Sequence, residues 1–126
     1  MLNSSEIKAC ASLLRRGDPE KFTAVMAAPV VARPTLFVLF AFNLEVARAP
    51  WVTSQEAIAE IRLQWWHDCL QEIETKSKAR SHEVVKPLSK ILSQEAARDL
   101  KGLVEARRWD IYKKPFNSEA HFKDYI

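Results

Sequence analysis

TLFVLFAFNLEVAR, residues 35–48, is the stretch whose reading decides the fold. Leu36, Phe37, Leu39, Phe40, Phe42, Leu44 and Val46 leave a helix here apolar around most of its circumference. A helix of that kind belongs at the centre of a bundle and not on its outside. The run resembles a buried strand, but its length and its Ala41, Leu44, Glu45 and Ala47 favour helix. Arg33-Pro34 opens it, with the proline where a missing N–H costs nothing, and Pro50 marks its end.

Upstream, Ser4 or Ser5 can cap a first helix reaching about Arg16. Its buried stripe is Ile7, Cys10, Leu13 and Leu14, and Gly17 ends it. Asp18-Pro19 restarts the chain as cap and first helical residue. The short helix that follows turns Phe22, Val25 and Met26 inward and stops before Pro29. Downstream, Thr53-x-x-Glu56 reads as a capping box for a long helix to about Lys76. Ile58, Ile61, Trp65, Cys69 and Ile73 form one face, widened by Leu63, Trp66 and Leu70. Trp65 and Trp66 cannot point the same way, because helix neighbours lie about 100° apart.

Residues 75–83 are polar and read as a loop. A short helix follows near Pro87, with Leu88, Ile91 and Leu92 inward. Another begins at Ser93 or Gln94 and runs to about Tyr112, placing Leu100, Leu103, Val104, Arg107 and Ile111 near one side. Lys113-Lys114-Pro115 breaks it, and Asn117 or Ser118 caps a last helix carrying Phe122 and Tyr125. That helix is barely two turns old at Ile126, so the pattern predicts a bundle that is truncated or partial.

Composition agrees with an all-α class. The chain has 126 residues, 48% of them hydrophobic and 28% charged, which excludes disorder and allows a true core. Two glycines and no Asn-Gly or Asp-Gly pair leave few sites for hairpins. The formal charge of +3 is too small, and its basic residues too interleaved with acids, to argue for nucleic acid. Two cysteines, Cys10 and Cys69, make neither a disulfide framework nor a metal spacing. The longest strongly apolar run, Leu36–Phe42, is seven residues and too short to cross a bilayer. A reducing, cytoplasmic setting is the expectation, with a membrane-peripheral contact left open.

No self-contained catalytic motif is present: no HExxH, CxxC, GxSxG or phosphate-cradling glycine loop. His67, His82 and His121 are widely spaced. No aspartate pair sits at i,i+3 or i,i+4, although Mg²⁺ sites acting on a diphosphate use clustered carboxylates. The polar residues in apolar settings are Asn43 and Glu45 in the phenylalanine-rich helix and Arg62, Gln64 and Asp68 beside the tryptophans. A buried charge there needs a partner, which predicts Glu45 or Asp68 against Arg48 or Arg62. The alternative is a polar floor to an apolar pocket between helices.

Three stretches carry a resemblance: GDPEKFTAVMAAPVVARPTLFVLFAFNLEVARA (17–49), AEIRLQWWHDCLQEI (59–73) and ARRWDIYKKPFNSEAHFKDYI (106–126). They resemble the squalene/phytoene synthase family, in its divergent alphaproteobacterial and mitochondrial branch. FAFNLEVAR and IRLQWWHD are the most specific parts. The resemblance implies an isoprenoid-synthase-like helical bundle, of which residues 1–126 would be the N-terminal part only. It implies a cavity for a prenyl diphosphate or another isoprenoid lipid, Mg²⁺ if the protein is catalytic, and head-to-head transfer in active members. It also implies candidate substrate- or metal-side positions at Arg33, Asn43, Glu45, Arg48, Arg62 and Asp68. Where active members carry paired aspartates, this chain reads Asn43-Leu44-Glu45, so full transferase activity is not expected of it. Two alternatives follow from the resemblance: a non-catalytic module for respiratory complex I assembly, or an Mg-dependent prenyl transferase if completed by a longer chain. A protein partner gripped by Trp51, Trp65, Trp66 and Trp109, and self-association through an exposed apolar face, complete the expectations.

Overall fold

The computed structural model describes residues 2–51 and 55–113. Among these residues the chain is all-α, with six α-helices and one 3-10 turn. Helix α1 spans Ser4–Gly17. Its cap is Asn3 and not Ser4 or Ser5: Asn3 Oδ1 accepts the Glu6 N–H at 2.8 Å, and Glu6 Oε1 accepts the Asn3 N–H at 3.0 Å. This reciprocal pair satisfies two orphan amides, with Glu6 at the third position after the cap, a register that Ser4 or Ser5 as cap would not share. Helix α2 spans Pro19–Met26, with Asp18 Oδ1 accepting the Lys21 N–H as expected. Val25 is buried, whereas Met26 lies on the exposed side with Val30 and Val31.

Helix α3 spans Arg33–Arg48 and follows the 3-10 turn Val30–Ala32. It buries Phe37, Val38, Ala41, Phe42 and Val46. It also touches α1, α2 and, further along the chain, α5 (Val85–Ile91) and α6 (Gln94–Lys113). The expected central position is therefore its position. Counted with the turn before it, Val30–Arg48 is long and apolar enough to cross a membrane by length and composition, with mean hydropathy 1.6. The Leu36–Phe42 run understated that length, because Val30, Val31 and Val46 extend the apolar character at both ends. Core helices of globular proteins pass the same test; α3 contacts four other helices, while 28% of that apolar window is buried.

Helix α4 spans Glu56–Glu74. Thr53 of the expected capping box lies outside the described residues, as does the last helix expected from Asn117 onward. The expected inward face of α4 needs correcting. Ala59, Leu63, Trp66, Cys69, Leu70 and Ile73 are buried, while Ile58 and Ile61 are 38% and 68% exposed. The buried face is turned about a quarter of the way round from the Ile58–Ile61–Trp65 stripe. The helix has apolar residues over a wide sector, and its neighbours choose which part is covered.

Helices α4 and α6 form the most extensive pair. They run antiparallel: Glu60 pairs with Arg108 at one end, and Glu74 with Arg98 and Lys101 at the other. Ser93 caps α6, its Oγ accepting the Ala96 N–H at 3.0 Å. Ala97, Val104 and Ile111 are buried along it, with Leu100 and Leu103 half-buried against the core. Phe42 of α3 meets Trp66 of α4 edge to face at 5.5 Å, locking the central helix to the long pair.

Candidate functional site

The end of α3 and the first half of α4 diverge enough to leave a cleft of about 430 Å³. Glu45 and Arg48 line it from α3, Ala49 from the cap just after it, and Ile61, Arg62, Trp65 and Trp66 from α4. His82 closes one side from the loop before α5. Of the six positions singled out from the sequence, the cleft brings together three: Glu45, Arg48 and Arg62. Among the described residues no carboxylate pairs with Arg48 or Arg62, and no cation pairs with Glu45. The expected internal ion pair of Glu45 or Asp68 with Arg48 or Arg62 is therefore not formed. These groups sit at the open cleft, where water solvates them and no burial cost demands a partner.

The other three positions lie elsewhere. Arg33 turns back over the corner between α2 and α3, donating to the Met26 carbonyl at 2.8 Å and the Ala28 carbonyl at 3.1 Å. Its guanidinium satisfies carbonyls left free where α2 ends, which is a structural task. Asn43 is half-buried on α3 and is not among the cleft residues. Asp68 bonds within its own helix, accepting from Gln64 Nε2 at 2.8 Å and lying 3.9 Å from His67 Nδ1, whose other ring nitrogen lies 3.9 Å from Glu105 across the α4–α6 seam. Arg108, Glu60 and Glu105 belong to the same seam.

His82 and the tryptophan pair are what sequence reading missed as a unit. Trp65 and Trp66 pack edge to face with centroids 5.0 Å apart, and each also contacts the His82 ring, at 5.1 and 5.4 Å. Their Cα–Cβ bonds diverge as helix geometry requires, yet both rings fold toward one histidine. His82 Nδ1 accepts the Val84 and Val85 N–H groups at 3.0 and 3.4 Å, which fixes the orientation of the ring. Arg80 covers the outer side of Trp65 at 5.5 Å while donating to both Glu72 oxygens, and the Glu72 hydrogen bonds raise the Arg80 pKa. A sequence signal for this unit is faint: His82 sits in a polar loop, and only the fold carries it to the indoles.

Chemically the cleft is apolar-walled and cationic, with two guanidiniums against one carboxylate. A Mg²⁺–diphosphate complex requires several carboxylates around one site. Among the described residues Glu45 is the one carboxylate lining the cleft, and no group of three or more His, Cys, Asp or Glu could hold a metal ion. The donor set present does not fit that complex. Burial raises both thiols, Cys10 and Cys69, to about 11, which leaves neither poised as a nucleophile.

Residues 14–126 match the family model described as squalene/phytoene synthase. A fly protein, complex I assembly factor 6 homolog of Drosophila melanogaster, is 31% identical over 107 residues, covering 84% of this chain and 30% of that protein. Complex I assembly factor 6 of Homo sapiens is 33% identical over 64 residues, covering 51% of this chain and 19% of that protein. The chain thus spans under a third of the length of these relatives. No solved structure matches it.

Two expectations are corrected by these matches. The resemblance was expected to hold for an N-terminal part only; the family match instead runs through nearly the whole chain, from residue 14 to residue 126. The cytoplasmic location is overturned by the relatives, which are assembly factors for complex I, a mitochondrial task. With 113 consecutive residues under one family model and the central and long helices inside that span, the chain belongs to the squalene/phytoene synthase family.

Proposed function

We propose that this chain is a non-catalytic member of its family that works as a complex I assembly-type module in mitochondria. The observation that carries the reading is the cleft's donor set. Glu45 and Arg48 on α3 look across to Arg62 on α4 at a site where head-to-head condensation would need a carboxylate cluster to neutralise a metal–diphosphate complex. The names of the fly, human and bovine relatives support the same direction. On this reading the helices keep an isoprenoid-synthase-like arrangement as a scaffold, and the cleft serves for recognition.

Two measurements test it. Purified protein incubated with Mg²⁺ and farnesyl or geranylgeranyl diphosphate should release no pyrophosphate above a heat-treated control. Cells lacking the corresponding gene should show reduced assembled complex I on native gels, restored equally by the wild type and by Glu45→Gln. Robust turnover, or loss of rescue with Glu45→Gln, would sink the reading.

A further inference from the structure

Part of the stripe expected to be the core of α4 is instead open: Cys69 and Ile73 are buried as expected, but Ile58 and Ile61 are exposed and Trp65 is half-buried. Ile58, Ile61 and Trp65 recur at i, i+3 and i+7, and Ile61 is 68% exposed. This is the spacing by which one helix presents a seam to another. The stripe runs into the cleft, where Ala49 and the buried Trp66 form an apolar floor. Arg48 and Arg62 flank the groove, and neither has a carboxylate partner among the described residues. Tryptophan and arginine are the residue types that most often carry the binding energy of a protein interface.

We infer that this groove receives an amphipathic helix of a partner protein, one whose apolar stripe is flanked by acidic residues. The inference rests on the assembly-type reading and names the kind of partner it would use. Charge selects the occupant. Two guanidiniums against one carboxylate favour acidic flanks and repel basic ones. A second copy of this chain is disfavoured on the same ground, since a symmetric contact would set Arg48 and Arg62 against their own kind with only Glu45 to answer them. The stripe's helical period favours a helix over an extended strand, because an extended segment places alternate side chains on opposite faces.

The test uses the whole chain, labelled with ¹⁵N, and two synthetic amphipathic helical peptides. Both carry leucines at helical spacing; one has glutamates beside the leucine stripe and the other has lysines. The glutamate peptide should move the indole N–H signals of Trp65 and Trp66 and leave that of Trp109 in place. Arg48→Glu with Arg62→Glu should weaken the glutamate peptide about tenfold or more and strengthen the lysine peptide. Ile61→Asp, at an exposed position, should weaken both without lowering the melting temperature. Equal affinity for the two peptides, no movement of Trp65 and Trp66, a response confined to Trp109, or a response only to vesicles containing anionic lipid would overturn the inference. So would a concentration-dependent dimer that Ile61→Asp abolishes. Pyrophosphate release by the same preparation would remove the non-catalytic reading while leaving the groove intact, so the two failures are separable.

Discussion

His82 Nδ1 accepts the Val84 backbone N–H at 3.0 Å, and this one bond ties the start of α5 to the indole pair of α4. The ring does two jobs. It satisfies amides at a helix start that has no other side-chain cap, and it packs against Trp65 and Trp66. His82→Ala should therefore cost about 1–2 kcal/mol, the range for a lost cap with its packing. His82→Asn keeps an acceptor near the amides and should recover part of that. Urea unfolding of the three proteins checks the order; equal midpoints would show that the bond contributes nothing.

Phe42 and Ile61 should behave oppositely although both are large and apolar. Phe42 is 1% exposed and locks α3 to Trp66, so Phe42→Ala should cost about 3–5 kcal/mol. Ile61→Ala lies on the open stripe and should stay within about 0.5 kcal/mol. Thermal melts followed by circular dichroism distinguish them, and a large loss with Ile61→Ala would mean that α4 is rotated from the orientation described.

Thiol chemistry should report the fold. Cys10 and Cys69 are raised to about 11 mainly by burial. At pH 8 only about one thiol in a thousand is then ionised in the folded protein. Ellman's reagent should react slowly with native protein and with two equivalents after addition of guanidinium, matching two free cysteines. Fast reaction of either thiol before unfolding would contradict the packing.

Acid should loosen the molecule at its carboxylate clamps. Hydrogen bonds from Lys101 and then Arg98 hold the Glu74 carboxyl below its usual 4.5, and Lys90 followed by the Asn3 amide does the same for Glu6. A carboxyl depressed in the folded state binds protons more readily once unfolded. Its contribution is thus present above about pH 4.5 and is lost as pH falls through the lower folded value. Glu74→Gln should flatten the acid limb of the stability curve and leave its neutral plateau lower. An unchanged acid limb would show that Glu74 is no clamp.

Much of the fold was legible from local chemistry. Asp18-Pro19 and Arg33-Pro34 start helices because an acceptor or a missing N–H suits a helix N-terminus wherever it occurs in space. The apolar circumference of residues 35–48 likewise demanded a central place, since no single neighbour could cover it. The cap of α1 escaped because three adjacent residues, Asn3, Ser4 and Ser5, all carry suitable oxygens, and only the reciprocal reach of Glu6 separates them.

The site divided in the same way. Sequence by itself determined that Glu45, Arg48 and Arg62 are polar groups set among apolar ones, and that paired acids are absent beside them. It also carried the family, in FAFNLEVAR and IRLQWWHD. Only the tertiary structure decided that Arg33 satisfies carbonyls at the end of α2, that Asp68 bonds within its own helix and that His82 meets two tryptophans. It alone decided that Ile58 and Ile61 stay open while Leu63, Trp66 and Leu70 are covered. The physical reason is that periodicity states how far apart apolar residues stand around a helix. Which sector is buried depends on where α3 and α6 approach, and those approaches are made by residues distant in the chain.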